Sequence, residues 1–193
     1  MSWLPFTTVV ALAALALPSL PGASQSSRDK LPESFTANAQ FQGPGGAAAT
    51  TLKIKIDRYT PDAERDAVIQ ALKQGGYQGF VTALRKAPVV GTISVGDTVF
   101  DIRWARATPN KNNRSIVLVT DKPMYFVGGG NPNAKSREGF DVGVLSFEVD
   151  SVGMGFNGKM AAAAKVKPGA NGPEVSDYAD KMIELKTVMR DIK

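Results

Sequence analysis

The chain has 193 residues, of which 43% are hydrophobic and 21% charged, with a formal charge of +5. That length suits one domain with an export segment, and the hydrophobic share is enough for a core. There is no Cys and no His, which excludes disulfides, thiolate chemistry, the usual general base near neutral pH and the commonest zinc ligand.

Residues 1–23 read as a signal peptide. The apolar run Val9–Leu17 lies between Pro5 and Pro18 in a stretch free of Asp, Glu, Lys and Arg. It is too short to span a bilayer, which needs about 20 apolar residues. Cleavage near Ala23–Ser24 implies a secreted or periplasmic protein with no transmembrane span. An uncleaved segment that anchors the chain to a membrane is the alternative. Residues 24–50 are rich in Ser, Ala and Gly, with scattered Leu31, Phe35 and Phe41. They are expected to form a flexible leader that ends as an edge segment, before a single domain over 51–193.

The first clear strand alternates Leu52, Ile54 and Ile56 with Lys53, Lys55 and Asp57, one dry face and one wet. A helix is expected next, with Thr60 as N-cap, Pro61 in the first turn and Asp62 and Glu64 at its positive end. Val68, Ile69 and Leu72 give it an apolar stripe, and Gly75 or Gly76 ends it. Tyr77, Phe80, Val81 and Leu84 share the face of a second helix closed by Pro88. The pair reads as a hairpin that covers part of a sheet.

Strands then dominate. "VVGTISV" turns at Gly96-Asp97 into "TVFDIRWARAT", where Phe100, Ile102 and Trp104 are expected on one face and Asp101 and Arg103 on the other. "PNKNN" reads as a loop. Ile116–Val119 is apolar on both faces and reads as central. Phe147 and Val149 share a face of the next strand. A strand pair is expected to turn near Asp150–Gly153, although Ala161–Ala164 also suits a helix. Val175, Tyr178, Met182, Leu185, Met189 and Ile192 recur at helical spacing, but Ile183, Leu185, Thr187 and Met189 alternate. Two short strands are the favoured reading of this tail. The fold class is α+β: a curled antiparallel β-sheet, barrel- or sandwich-like, with an inserted helical hairpin.

The run from Gly129, G-G-N-P-N-A-K-S, is one residue from a phosphate-binding loop. Ala134 replaces the second glycine, and the residues after Lys135 and Ser136 read as a strand, so no helix N-terminus would face an anion. The stretch reads instead as a wide rim connection, with Gly128, Gly129 and Gly130 serving a bulge or a close backbone approach. With Lys135 and Arg137 they are candidate ligand-binding residues. Trp104, Tyr125 and Phe126 join them, because with Phe100 they suit the lining of a small apolar cavity as well as a packed core.

No residue is expected to be catalytic, and no metal or cofactor is expected. The carboxylates Asp57, Asp101, Asp121, Asp141, Glu148 and Asp150 fix no acid–base pair, and Asp101 reads as an ion pair with Arg103. Lys53, Lys55, Arg58, Arg103, Arg106, Lys111 and Arg114 would make a basic side if their strands were neighbours, but no tract signals nucleic-acid binding.

The segments "ERDAVIQALKQGG", "VGTISVGDTVFDIRWARATP" and "RSIVLVTDKPMYF" resemble an uncharacterised family of small secreted bacterial proteins. The family's strand Gly-Tyr-Asp-Ile-Arg-Tyr-Ala is matched in its last six places by Phe100, Asp101, Ile102, Arg103, Trp104 and Ala105, with Val99 in place of the glycine. Ile116, Val117, Leu118, Thr120, Asp121 and Pro123 match a second segment. Tyr178 meets part of a late strand motif. The likeness covers Leu52 to about Val188. It implies export and a strand-forming tail, and it supplies no activity. The resulting expectation is a non-catalytic exported or cell-envelope protein that binds a small apolar ligand, a polymer or a protein partner. A carboxylate-dependent hydrolase and an assembly subunit are the alternatives.

Overall fold

A computed structural model of the chain describes residues 31–43, 46–124, 137–169, 172–179 and 182–191. The signal-peptide reading of residues 1–23 falls outside them. The elements in chain order are β1 (Glu33–Gly43), β2 (Gly46–Ile56), α1 (Asp62–Lys86), β3 (Gly91–Val95) and β4 (Thr98–Asn110). There follow β5 (Asn113–Thr120), β6 (Val142–Val149), β7 (Met154–Pro168), β8 (Pro173–Tyr178) and β9 (Ile183–Arg190).

The strands are ordered β6-β5-β4-β3-β2-β1-β9-β7-β8, and β6 also pairs with β7. That last pairing closes eight strands into an antiparallel barrel and leaves β8 as an extra strand. β7 makes both possible because it is 15 residues long. Its Met154–Met160 half pairs with β9 and its Ala164–Pro168 half with β8, on the edge opposite β6. The tail therefore forms two short strands, as the alternation of Ile183 and Leu185 predicts.

The barrel interior is packed with apolar side chains. Phe35, Leu52, Ile54, Ile93, Ile102, Ile116, Leu118, Leu145, Phe147 and Val188 are fully buried members of one cluster. Phe35 and Phe147 meet edge to face, with ring centroids 5.2 Å apart. This packing corrects the expectation of a flexible leader for residues 33–43 and 46–50, while residues 24–30 lie outside the described residues. Residues 33–43 supply all of β1 and residues 46–50 the start of β2, in register from Glu33 opposite Ile56 to Gly43 opposite Gly46. Phe35, Ala37 and Ala39 are buried at alternate positions. Two of those three are alanines, which carry little hydrophobic signal while filling a strand's inner face.

Helix α1 covers the outer face of β4 to β7. Val68, Leu72, Phe80, Val81 and Leu84 pack on Val119, Val142, Val144, Ala161, Ala164 and Val166. Ala161–Ala164 is strand, and its small side chains let the helix layer come close. The expected helical hairpin is present: α1 consists of two helical segments that meet at Gly76, whose φ of 59° and ψ of −156° are not helical. The segments on either side fold back tightly. A β-carbon on Gly79 would lie 2.6 Å from the carbonyl oxygen of Ala71. In a straight helix those residues would be about 12 Å apart.

The expected N-cap at Thr60 is not formed. Pro61 occupies that position without a side-chain cap. Thr60 instead ties the helix entry to β4: its N–H donates to Ala105 O at 2.8 Å, and its hydroxyl accepts the Ala105 N–H at 3.0 Å. The β6–β7 turn sits where expected, and Asp150 Oδ1 accepts the N–H groups of Val152 and Met154, both at 2.9 Å.

Candidate functional site

The site is built on an irregularity in β4. Ile102 is opposite Thr120, but Trp104 is opposite Val119, so the register shifts by one residue between them. A bulge of this kind reverses the alternation of side chains beyond it. Ile102 and Ala105 therefore face the barrel interior, whereas Trp104 belongs to the outer cluster beneath α1. The expected grouping of Phe100, Ile102 and Trp104 on one face is thus corrected, and the barrel interior holds no cavity walled by Phe100 and Trp104.

Trp104 is 0% exposed. The β7–β8 hairpin closes over its indole at Gly172, where a β-carbon would sit 2.8 Å from Cζ2 and where φ is +147°. A side chain at Gly172 would displace the ring and strain the backbone together. Two residues on, Arg106 occupies the same outer face. Its Nη1 donates to Thr60 O at 3.0 Å and to Asp62 Oδ1 at 2.9 Å. Between the outer face of β4 and β5 and this hairpin lies a groove of about 410 Å³, lined by Trp104, Arg106, Thr108, Pro109, Asn110, Ser115, Val117, Gly172, Pro173 and Glu174. Trp104 Nε1 and Arg106 Nε are both buried, and neither has an acceptor among the described residues. Buried donors in that condition are rare in folded chains.

Arg106 also lines a second hollow of about 440 Å³, with Leu31, Arg58, Tyr59, Thr60, Pro61, Asp62 and Ala107. The carboxylates considered for catalysis are engaged elsewhere. Arg103, the residue at the bulge, donates from Nε to Asp121 at 3.0 Å and from Nη2 to Asp101 at 3.3 Å. Its Nη1 reaches Ala87 O at the end of α1, at 2.9 Å. The ion pair expected between Asp101 and Arg103 is therefore present and widened to a third element.

A second ionic group lies at the barrel end where β1 begins. The Glu33 side chain is fully buried and meets Arg114, Arg190 and the Tyr59 hydroxyl. Arg114 thus points inward, Arg58 pairs with Glu64 at 3.0 Å and Lys55 with Asp57 at 2.7 Å, so these three cations are tied to carboxylates and not gathered into a basic side.

Of the candidate ligand-binding residues, Tyr125, Phe126, Gly128, Gly129, Gly130 and Lys135 lie outside the described residues. Arg137 sits with its guanidinium carbon 5.3 Å from the centroid of Phe140, and Lys165 Nζ stands 4.7 Å from the same ring. Arg137 does not line the Trp104 groove. From Arg137 the chain passes a turn at Glu138–Gly139 into β6 without a helix. Sequence reasoning found Trp104 but not Arg106, Asn110, Ser115 or Gly172 as its neighbours. The pattern Trp-x-Arg on one strand was the only available hint for Arg106, and nothing local announces Gly172.

Among the described residues no group of three or more Asp or Glu is placed to hold a metal ion, and no helix is long and apolar enough to cross a membrane. Comparison with protein-family models, with curated proteins and with solved structures returns no match.

Proposed function

We propose that this chain is an exported, non-catalytic binding protein that takes a small, largely apolar ligand in the groove beside Trp104. One observation carries the reading: Trp104, which lines a groove of about 410 Å³, is fully buried and its indole N–H has no acceptor among the described residues. That volume is within the range of small-molecule sites, which combine apolar walls with a few polar groups. Export rests on the apolar run Val9–Leu17 and on the family resemblance. The test is native mass spectrometry of the protein isolated from its own cells and medium, alongside Ser115→Phe, which fills the groove from β5. A retained small molecule on the wild-type chain, lost from a folded Ser115→Phe chain, is the expected result. An unliganded wild-type chain, or a ligand held equally by both, overturns the reading.

An assembly role has one specific support. β3 pairs with β2 only from Lys53 to Ile56, so that edge of β2 from Gly46 to Leu52 has no strand partner among the described residues. Such an edge can accept another chain's strand. Light scattering that finds a monomer up to high micromolar concentration would dismiss a self-assembling subunit. The hydrolase alternative gains no comparable support, since Asp101 and Asp121 both serve Arg103.

A further inference from the structure

We propose that the ligand of the Trp104 groove is a carboxylate with an apolar body, an inference that rests on the binding reading above. Trp104 and Arg106 stand two residues apart on the outer face of β4, and both line the groove. Their buried N–H groups lack acceptors among the described residues. Indole and guanidinium are donors only, so what both require is an acceptor. Arg106 has already committed Nη1 to Thr60 and Asp62, on the side away from Nε. The edge formed by Nε and Nη2 presents two parallel N–H groups, the geometry that fits the two oxygens of a carboxylate. Asp62 balances the guanidinium charge from outside without reaching Nε.

Among the described residues the groove brings no acid of its own to this edge. Among the described residues Glu174 is the only acidic one on its lining, and that side chain lies against Gly169 in the β7–β8 hairpin. The remaining walls suit a hydrocarbon or ring: the indole of Trp104, Pro109, Val117 and Pro173 are apolar. An acid headgroup at Arg106 and an apolar body along these walls would satisfy both halves of the site.

The full chain carrying Trp3→Phe leaves Trp104 as its sole tryptophan, since the sequence holds two. Its emission is followed while octanoate or 1-octanol is added at pH 7.5. The expected result is a saturable change with octanoate, at a Kd at least about tenfold below that for octanol, the least that one charge-assisted hydrogen bond supplies. Arg106→Gln should bring the ratio of the two constants close to one. Asn110→Asp, which adds a negative charge at an exposed lining position, should weaken octanoate and spare octanol even if Arg106→Gln fails to fold. Equal binding of acid and alcohol overturns the carboxylate inference and leaves the groove a binding site. A preference for octanoate that survives both variants also overturns it, because the acid then binds elsewhere. No change with either probe overturns the carboxylate inference and the binding reading together.

Discussion

A carboxylate sealed inside a barrel is tolerable only when its oxygens are fully used, because desolvating the charge costs several kcal/mol. Glu33, 3% exposed, meets this condition through Arg114, Arg190 and Tyr59. Glu33→Gln keeps the shape and removes the charge that holds the two guanidinium groups. It should lower unfolding free energy by about 3 kcal/mol in chemical denaturation, the scale of a broken buried pair. Tyr77 behaves differently. Its hydroxyl accepts the Asp141 N–H at 2.7 Å and donates to Ala164 O at 3.0 Å, pinning α1 to the entry of β6 and to β7. Burial is the main reason its pKa is pushed up to about 12 from 10.0. The folded state keeps that proton where the unfolded state releases it. Tyr77 therefore supports the fold fully below pH 10, and this support is lost as pH rises from 10 towards 12. Ultraviolet titration should show a tyrosine ionising near pH 12, absent in Tyr77→Phe, and wild-type stability should fall more steeply above pH 10 than that of the variant. Neither role was legible beforehand. Glu33 fell in a stretch whose composition reads as a leader, and the partners of Tyr77 lie 64 and 87 residues further along the chain. Trp104 was legible as a large apolar side chain that the fold would bury but not as to its face, because a bulge depends on a partner strand's register and leaves no mark in its own alternation.

At the scale of elements, two local features give predictions whose signs discriminate. Replacing glycine by alanine inside a straight helix stabilises by about 0.5–1 kcal/mol. Gly79 faces Ala71 O across the corner at Gly76, so Gly79→Ala should instead destabilise, by about 1–3 kcal/mol, as an overpacked contact does. A stabilised variant would mean that the two helical segments do not fold back. In the β4–β5 hairpin Lys111 has a φ of 52°, a left-handed conformation that disfavours residues with a β-carbon. Lys111→Gly should raise unfolding free energy by about 0.5–1 kcal/mol, with the gain visible in the denaturation midpoint and not in the slope. The glycines at the corner and the turn signals at Gly96-Asp97 and Asp150–Gly153 made most element boundaries readable, since they act within a few residues. β1 and the start of β2 were missed because the inner face of β1 relies on Ala37 and Ala39, and the Thr60 cap because its hydroxyl is claimed by Ala105, 45 residues later.

For the whole molecule, the sequence predicts a curled antiparallel sheet, and closure is what it cannot announce. Each of β1–β2, β3–β4, β4–β5, β5–β6, β6–β7 and β7–β8 joins neighbours in the chain. The barrel becomes continuous only when β9 enters between β1 and β7. That step ties Thr36 to Asp191, 155 residues apart, through a side-chain hydrogen bond of 3.0 Å. Long-range pairings of this kind form late, because the entropy of closing the intervening chain precedes any return from contacts. The order of events can be read from two buried side chains that share the interior. Val188 lies on β9 and Leu118 on β5, within the hairpin run. Val188→Ala and Leu118→Ala should each destabilise by about 2 kcal/mol or more. In stopped-flow refolding the loss for Val188→Ala should appear almost wholly as faster unfolding, and that for Leu118→Ala should appear in large part as slower folding. Slowed folding in Val188→Ala would place β1–β9 closure in the rate-limiting step, with the hairpins completed on a barrel already joined at its ends.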